Sequence, residues 1–300
     1  MPITYRAARA EDLERADRLV VTSINNLTER HGFGPMAAPG APNFQMLSLN
    51  DDAAGLWVAE DGAEIFGFAW SWVCGDLWFL AQLFVSPGQQ GGGIGNELLK
   101  RTLDHAQQSG AVNKALITFT FNTVSQGLYI RHGLFPRFPI YSLSAPREPL
   151  AGRLRGMQLR HVPLQETASD LHSLVQIDNA ALGVSREKHH GYLLRDAGTR
   201  GFALYDGDDR AGYVYIAANG HIGPLAVARR DLLGAAFTGA LNLAAEGTSP
   251  QVSAFIPGTA DTALQAAIEH GMRITFPMIL MSTPDMRDWT QYLPRNPGFM

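Results

Sequence analysis

The sequence predicts an α/β (α+β) protein made of two tandem copies of one domain, and three features predict it. An apolar run, Leu77 to Val85, leads through Pro87 and a cluster of glycines into a segment with apolar periodicity at Ile94, Leu98, Leu99 and Leu103, which reads as strand, glycine loop and helix. Upstream and downstream of it, short alternating runs are interleaved with helical patterns. Finally, the second half echoes the first. His132-Gly133-Leu134-Phe135-Pro136-Arg137-Phe138-Pro139-Ile140-Tyr141-Ser142-Leu143-Ser144 matches His270-Gly271-Met272-Arg273-Ile274-Thr275-Phe276-Pro277-Met278-Ile279-Leu280-Met281-Ser282 at His-Gly, at Phe-Pro and at the final Ser. Leu83-Phe84-Val85 pairs with Leu225-Ala226-Val227 at nearly the same distance upstream, as expected of an internal repeat.

In chain order, Ile3 to Arg6 alternates like a strand, and Arg9-Ala10-Glu11-Asp12 opens a helix carrying Leu13, Ala16, Leu19, Val20 and Ile24. Glycine and proline crowd His31 to Asn43, a loop. Leu56 to Glu60, Asp61-Gly62 and Ile65 to Val73 form a hairpin, with Phe66, Phe68, Trp70 and Trp72 on one face of the second strand. That stripe is read as core, with an aromatic wall for an apolar acceptor as the second reading. The helix after the glycine loop ends near Gln108, before Ser109-Gly110. Leu116 to Phe121 is the next strand, Asn122 and Ser125 to Ile130 lead through a short helix to His132-Gly133, and Pro139 to Ser144 closes the copy. The proline-rich, charged stretch that follows sets the boundaries: a first domain over 1–145, a linker over 146–156 and a second domain over 157–300.

Bulk composition excludes several functions. The 300 residues, 46% hydrophobic and 17% charged, suffice for two medium domains with cores that need neither metal nor disulfide. A net charge of −4 argues against general attraction to nucleic acid or acidic membrane. Cys74, the single cysteine, permits no intrachain disulfide and no cysteine zinc site, and reads as a buried structural thiol. His105, His161, His172, His189, His190 and His221 lack metal-ligand spacing, so no metal is expected; His189-His190 are expected to face solvent. Glu187-Lys188 and Asp206 to Arg210 read as exposed charge runs, the second a hairpin turn through Gly207. Met1 to Arg6 carries no apolar segment of a secretory signal and no run reaches membrane-spanning length, so a soluble cytoplasmic protein is expected.

A glycine loop that opens a helix offers unpaired N–H groups and the positive end of a dipole, an anion cradle suited to phosphates. A P-loop would need Lys and then Ser or Thr after the last glycine, but Asn96 and Glu97 follow Gly95. The dinucleotide pattern fails too, because Gly91-x-Gly93 meets Asn96 and Gly93-x-Gly95 meets Leu98 at the sixth place. What remains is Gln90-x-x-Gly93-x-Gly95 after Leu83-Phe84-Val85.

This closely resembles the pyrophosphate loop of the Gcn5-related N-acetyltransferases, whose pattern is Gln or Arg, two residues, Gly, one residue, Gly or Ala. Asn122, then Leu128-Tyr129, then Gly133 is similar to the family's second signature, with Leu134 and Phe135 in a slightly altered order after the glycine. The resemblance implies that each copy is a mixed, mostly antiparallel sheet flanked by helices. It implies acetyl-CoA as cosubstrate and direct attack by an amine. Backbone N–H groups of Gln90, Gly91, Gly92, Gly93, Ile94, Gly95 and Asn96 would hold the pyrophosphate. The edge at Leu83, Phe84 and Val85 would pair with the pantetheine, Asn122 and Ser125 would contact the cofactor, and Tyr129 would protonate the leaving thiolate. Glu60, Glu64, Asp76 and His31 are candidate bases only by being titratable near the expected cleft.

Laying the second copy on the first puts Ala235 at Gly93, Phe237 at Gly95 and Ala267 at Tyr129, so the second copy is expected to have lost the cofactor. The tail, Trp289 to Met300, is either a loose end or packs into a cleft between the copies. Two functions fit: an N-acetyltransferase whose acceptor is a small-molecule amine or, second, a peptide or protein N-terminus; and a non-catalytic acyl-CoA-binding sensor or interaction protein. A homodimer is expected from the resemblance.

Overall fold

A computed structural model describes every residue except Met1, Pro2, Ala63, Arg155 and Asp285. The chain divides into two units: Met1–Ile117 with Phe121–Phe135 and Met281–Pro284, and Thr118–Thr120 with Pro136–Leu280 and Asp285–Met300.

In the first unit, β1 (Thr4–Ala7) is followed by a 3-10 turn and α1 (Leu13–Arg30), then α2 (Asn43–Asp51), β2 (Leu56–Asp61), β3 (Glu64–Cys74), β4 (Leu77–Val85), α3 (Ile94–Gln108), β5 (Asn113–Phe119) and α4 (Thr123–Arg131). Strands β1 to β4 pair in sequence, all antiparallel, and β5 joins β4 in parallel. The entry to α1 is fixed by charge: Asp12, fully buried, accepts from the Arg9 N–H at 2.8 Å and from the Arg6 guanidinium at 2.6 Å, which also holds Glu60. Leu83 and Val85 pack with Ala59 and Ala69 against Ile94 and Leu98 of α3. Gly67 permits this approach, since a Cβ there would stand 2.8 Å from Leu98. On the other face of the sheet Phe68, Trp70 and Trp72 are buried, so the aromatic stripe is core, each ring contributing on the order of 2 kcal/mol. Cys74 is buried at the end of β3.

The second unit contains β6 (Phe135–Pro146), α5 (Arg147–Ala151), β7 (Arg160–Pro163), α6 (Ala168–Leu182), α7 (Glu187–Arg195), β8 (Thr199–Asp206), β9 (Asp209–Ala217), β10 (His221–Val227), α8 (Leu233–Ala245), β11 (Gln251–Pro257), α9 (Asp261–Glu269), β12 (Arg273–Ser282) and β13 (Tyr292–Leu293). Its sheet runs β12-β6-β11-β10-β9-β8-β7. The β8–β9 hairpin turns at Gly207, as the glycine between charges requires. Each copy is thus the mixed, mostly antiparallel sheet with flanking helices that the sequence predicts.

The units do not follow the boundaries read from the sequence. β6, expected to close the first copy, lies in the second unit, where Ile140 to Pro146 pair antiparallel with Gln251 to Pro257 of β11. Residues 281–284 belong in turn to the first unit, where the Thr283 N–H donates to the Lys114 carbonyl at 3.0 Å and the Lys114 N–H to Thr283 Oγ1 at 3.1 Å. Edge strands present unpaired backbone, and nothing in local sequence says which neighbour will satisfy it.

Two further expectations are corrected here. His189 and His190 are buried: His190 Nε2 lies 3.0 Å from the Asp178 carboxylate, its Nδ1 lies 3.0 Å from the Tyr215 hydroxyl, and His189 stacks edge-on to Phe299. Their partners are remote in sequence, so a neighbouring charge run was a poor guide. The tail is not loose; Tyr292 and Leu293 form β13, paired antiparallel with Ala226 and Leu225 of β10 inside the second unit. Among the described residues, no helix is long and apolar enough to cross a membrane.

Candidate functional site

The site is built where β4 parts from β5. Their parallel pairing runs from Leu77 opposite Asn113 to Leu80 opposite Leu116 and stops there. At that point the β3–β4 register shifts between Trp70/Gln82 and Ser71/Leu80, which leaves Ala81 as a bulge. A bulge bends its strand and re-aims the next residues. From Gln82 to Val85, β4 therefore keeps β3 on one side while its other edge carries no β5 partner.

The glycine loop follows directly. Gly91 and Gly93 both stand at φ 87, and Gly93 is the N-cap of α3. A side chain would find open space at Gly93 but not an accessible backbone conformation, so glycine is demanded there by φ alone. The first bond of α3 runs from the Glu97 N–H to the Gly93 carbonyl, which leaves the N–H groups of Ile94, Gly95 and Asn96 in the first turn beyond reach of the helix's own carbonyls. Gly88 to Gly93 are exposed. The result is a set of donors unused by the helix at a positive dipole end, beside a strand edge that β5 leaves unpaired.

Side chains brace this cradle. The Gln90 amide donates to the Val85 carbonyl at 3.1 Å, so its side chain ties the loop to the strand and leaves its backbone, the part expected to hold the cofactor, to the site. Ser23 of α1 donates to the same carbonyl at 3.3 Å. Asn96 Oδ1 meets His132 Nε2 at 2.9 Å. Burial, then the nearby Arg131 and Lys100 charges, lower the His132 pKa. His132 escaped the sequence reading as a site residue; its recurrence as His270 in the second copy marked it only as part of a repeat.

α4 is locked onto this corner. The Asn122 side chain caps it, accepting from the Ser125 N–H at 3.3 Å. Leu128 lies 3.9 Å from where a Gly95 Cβ would be and Val85 3.6 Å, so β4, α3 and α4 meet at Gly95. Tyr129, next to Leu128, is buried, and its hydroxyl is hydrogen-bonded to Ser125 one turn earlier. Burial pushes the Tyr129 phenol well above its usual range, and the Ser125 bond opposes this only in part. It keeps its proton throughout the neutral range.

The candidate bases are scattered. Glu60 is held by Arg6, Asp76 accepts from the Asn113 side chain at 2.8 Å at the end of β4 remote from the loop, and Glu64 is exposed at the start of β3. His31 alone reaches the rim, stacking with Phe33 on Phe121 after β5 at 4.7 and 5.0 Å between ring centres.

In the second unit the corresponding features diverge. β10 and β11 pair only at His221/Ser253 and Ile222/Ala254, but β13 then takes over the edge, and the Val227 N–H donates to the Gln291 carbonyl at 3.0 Å. The connection from β10 to α8, residues 228–232, is shorter than the 86–93 loop and has no glycine. With the helix starts matched, Leu232 stands at Gly93 and Gly234 at Gly95, so the overlay slips by three residues there and Phe237 is a core residue of α8. At the helix ends it holds: Leu134 N–H to Tyr129 carbonyl and Met272 N–H to Ala267 carbonyl are the same bond, 3.1 and 2.9 Å.

The mixed sheet with a bulged β4 and a glycine-capped α3 is a fold that the chain shares with solved GNAT structures. Residues 22–134 of the chain match the profile of the acetyltransferase (GNAT) family. Its fold is similar to that of a proposed acetyltransferase from Pyrococcus horikoshii (TM-score 0.76, 16% identity, 99% of this chain and 96% of that one). A GCN5-related N-acetyltransferase from Sphaerobacter thermophilus aligns at TM-score 0.66 and 15% identity over 96% and 98% of the chains. A tandem GNAT protein from the clavulanic acid biosynthesis pathway aligns at 0.59 and 14% over 94% and 98%. Among curated proteins none matches the sequence significantly.

Proposed function

We propose that the chain is an acetyl-CoA-dependent N-acetyltransferase that moves the acetyl group onto a primary amine of a small molecule, with its one working site in the first unit. The observation that carries this is the free edge of β4 at Leu83–Val85 lying beside the unsatisfied N-terminus of α3, with Tyr129 fixed at the same corner by Ser125. In this reading the N–H groups from Gly91 to Asn96 hold the pyrophosphate, and the β4 edge pairs with the pantetheine amides and polarises the thioester carbonyl. The amine lone pair attacks the carbonyl carbon, the C–S bond breaks, and the thiolate takes its proton from the Tyr129 hydroxyl. The proton released by the amine leaves through water, and a proton from water restores the Tyr129 hydroxyl.

Tyr129→Phe tests the assignment. Turnover, read as free CoA released in the presence of an amine panel, should fall by about 10²-fold or more while acetyl-CoA affinity by calorimetry stays within about twofold. Equal loss of both would remove Tyr129 as the acid. Acetyl-CoA binding without transfer to any amine would favour a non-catalytic acyl-CoA sensor.

A further inference from the structure

Trp70 and Gln82 occupy paired positions on β3 and β4, at the last register step before the Ala81 bulge. Both point away from α3, because their neighbours Ala69 and Leu83 pack against it and side chains alternate along a strand. Trp70 is 3% exposed, and Phe44 of α2 meets its ring edge-on at 5.2 Å. Yet the Trp70 indole Nε1 has no hydrogen-bond partner, and neither has the buried Gln82 Oε1. Among the described residues, this is the one place where an unpartnered buried donor and an unpartnered buried acceptor stand on cross-strand partners. Buried polar groups are normally satisfied, so a donor and an acceptor left open together suggest a ligand that supplies the complement. They adjoin the free edge at Leu83.

α1 ties to the end of β4 through Ser23 and Val85, and the segment after α1 lays His31 and Phe33 on Phe121 after β5, so it reaches from one rim of the parted strands to the other. That segment is held in shape by α1: the Asn25 side chain accepts from the Met36 and Ala37 N–H groups at 2.9 and 2.8 Å, and Thr28 donates to the Gly34 carbonyl at 2.6 Å. Phe33 and Met36 are left exposed. No carboxylate accompanies Gln82 on this face of β4, whose next residue facing the same way is Phe84.

We infer that Gln82 and Trp70 position the acceptor: the Gln82 oxygen takes an N–H of the attacking amine, and the indole N–H donates to a carbonyl next to it. The acceptor class is then a small α-amino amide or similar amino carbonyl compound with an apolar side chain. This rests on the acetyltransferase reading above. Neither residue exchanges a proton with the substrate; both act by orienting it, and so should move KM more than kcat.

The test uses the full chain with acetyl-CoA and two probes, phenylalaninamide and phenethylamine, with CoA release as readout. The parent should acetylate phenylalaninamide with a KM at least fivefold below that for phenethylamine. Gln82→Leu should raise both KM values about tenfold with acetyl-CoA affinity unchanged, and Gln82→Glu, which keeps an acceptor oxygen, should recover most of the loss. Trp70→Phe should abolish the preference between the probes. Unmoved KM values in Gln82→Leu, a preference that survives in Trp70→Phe, or no transfer to either probe by a chain that acetylates other amines would overturn the inference. Failure of the parent to bind acetyl-CoA, or to release CoA with any amine, would overturn the acetyltransferase reading and this inference with it.

Discussion

At Leu83–Val85 the outer edge of β4 is left without a strand, whereas at Leu225–Val227 the matching edge of β10 is taken by Gln291–Leu293. The same strand in two copies therefore meets two kinds of partner. In the first unit only side chains, Gln90 and Ser23, reach the end of this edge at the Val85 carbonyl; in the second the chain's own β13 pairs with it. The tail is anchored as a core element: Trp289, Tyr292, Leu293 and Met300 are fully buried. The Tyr292 hydroxyl accepts from Arg186 at 2.8 Å, and Arg186 also donates to Asp178 at 2.8 Å. Although burial alone would raise it, the pKa of Asp178 is held well below the usual carboxylate range by Arg186 and His190. What separates the copies is thus less the loss of one residue than a filled slot, a shortened loop and an alanine, Ala267, where the first copy has Tyr129.

The largest expected effect comes from emptying the filled slot. A chain ending at Asp288 loses β13 and leaves Arg186 without Tyr292, and should be destabilised by at least about 5 kcal/mol, read as a shift in the denaturant midpoint. Next, Gly93→Val forces a branched side chain onto a backbone at φ 87 and should weaken acetyl-CoA binding by about 10²-fold or more by calorimetry. Unchanged affinity would remove the phosphate cradle from the comparison.

Acid should then act on the filled slot. His221 is half-buried with its Nε2 against the Arg295 carbonyl; desolvation, with the Arg295 charge, brings its pKa down to about 4 against the pull of that carbonyl. Between pH 6.5 and about 4 the unfolded chain takes up a proton that the folded chain refuses, so stability falls as pH drops through that window, by on the order of 3 kcal/mol. Thermal melts from pH 7 to 4.5 should show the decline, and His221→Gln should flatten it. The smallest effect belongs to Gly234→Ala. Its new Cβ would lie 3.2 Å from Thr262, so helix propensity and crowding oppose each other within about 1 kcal/mol, and acetyl-CoA affinity should not change.

The features legible in the sequence were those with a local cause. Gly93 announced the helix start because only glycine suits that φ, and the Leu77 to Val85 run announced its strand by apolar continuity. α2 was missed because Asn43–Asp51 has no apolar periodicity to show. Residue types also did not reveal direction: Gln90 reaches back to Val85, and Asn122 caps its own helix. The bulge at Ala81, the unpartnered Trp70 and Gln82, and the burial of His190 depend on pairings between strands and helices far apart in the chain, which periodicity cannot encode.

The traded strands have a kinetic consequence. The Lys114–Thr283 bonds join residues 169 apart in sequence, so the first unit is completed only by a segment near the end of the chain. The entropy of closing such a loop must be met before its contacts reward it, which raises contact order and slows folding relative to a self-contained domain of the same size. During synthesis the first unit would wait, with the backbone of β5 uncovered, until Thr283 has left the ribosome. A chain cut after residue 145 is accordingly no model of the first copy.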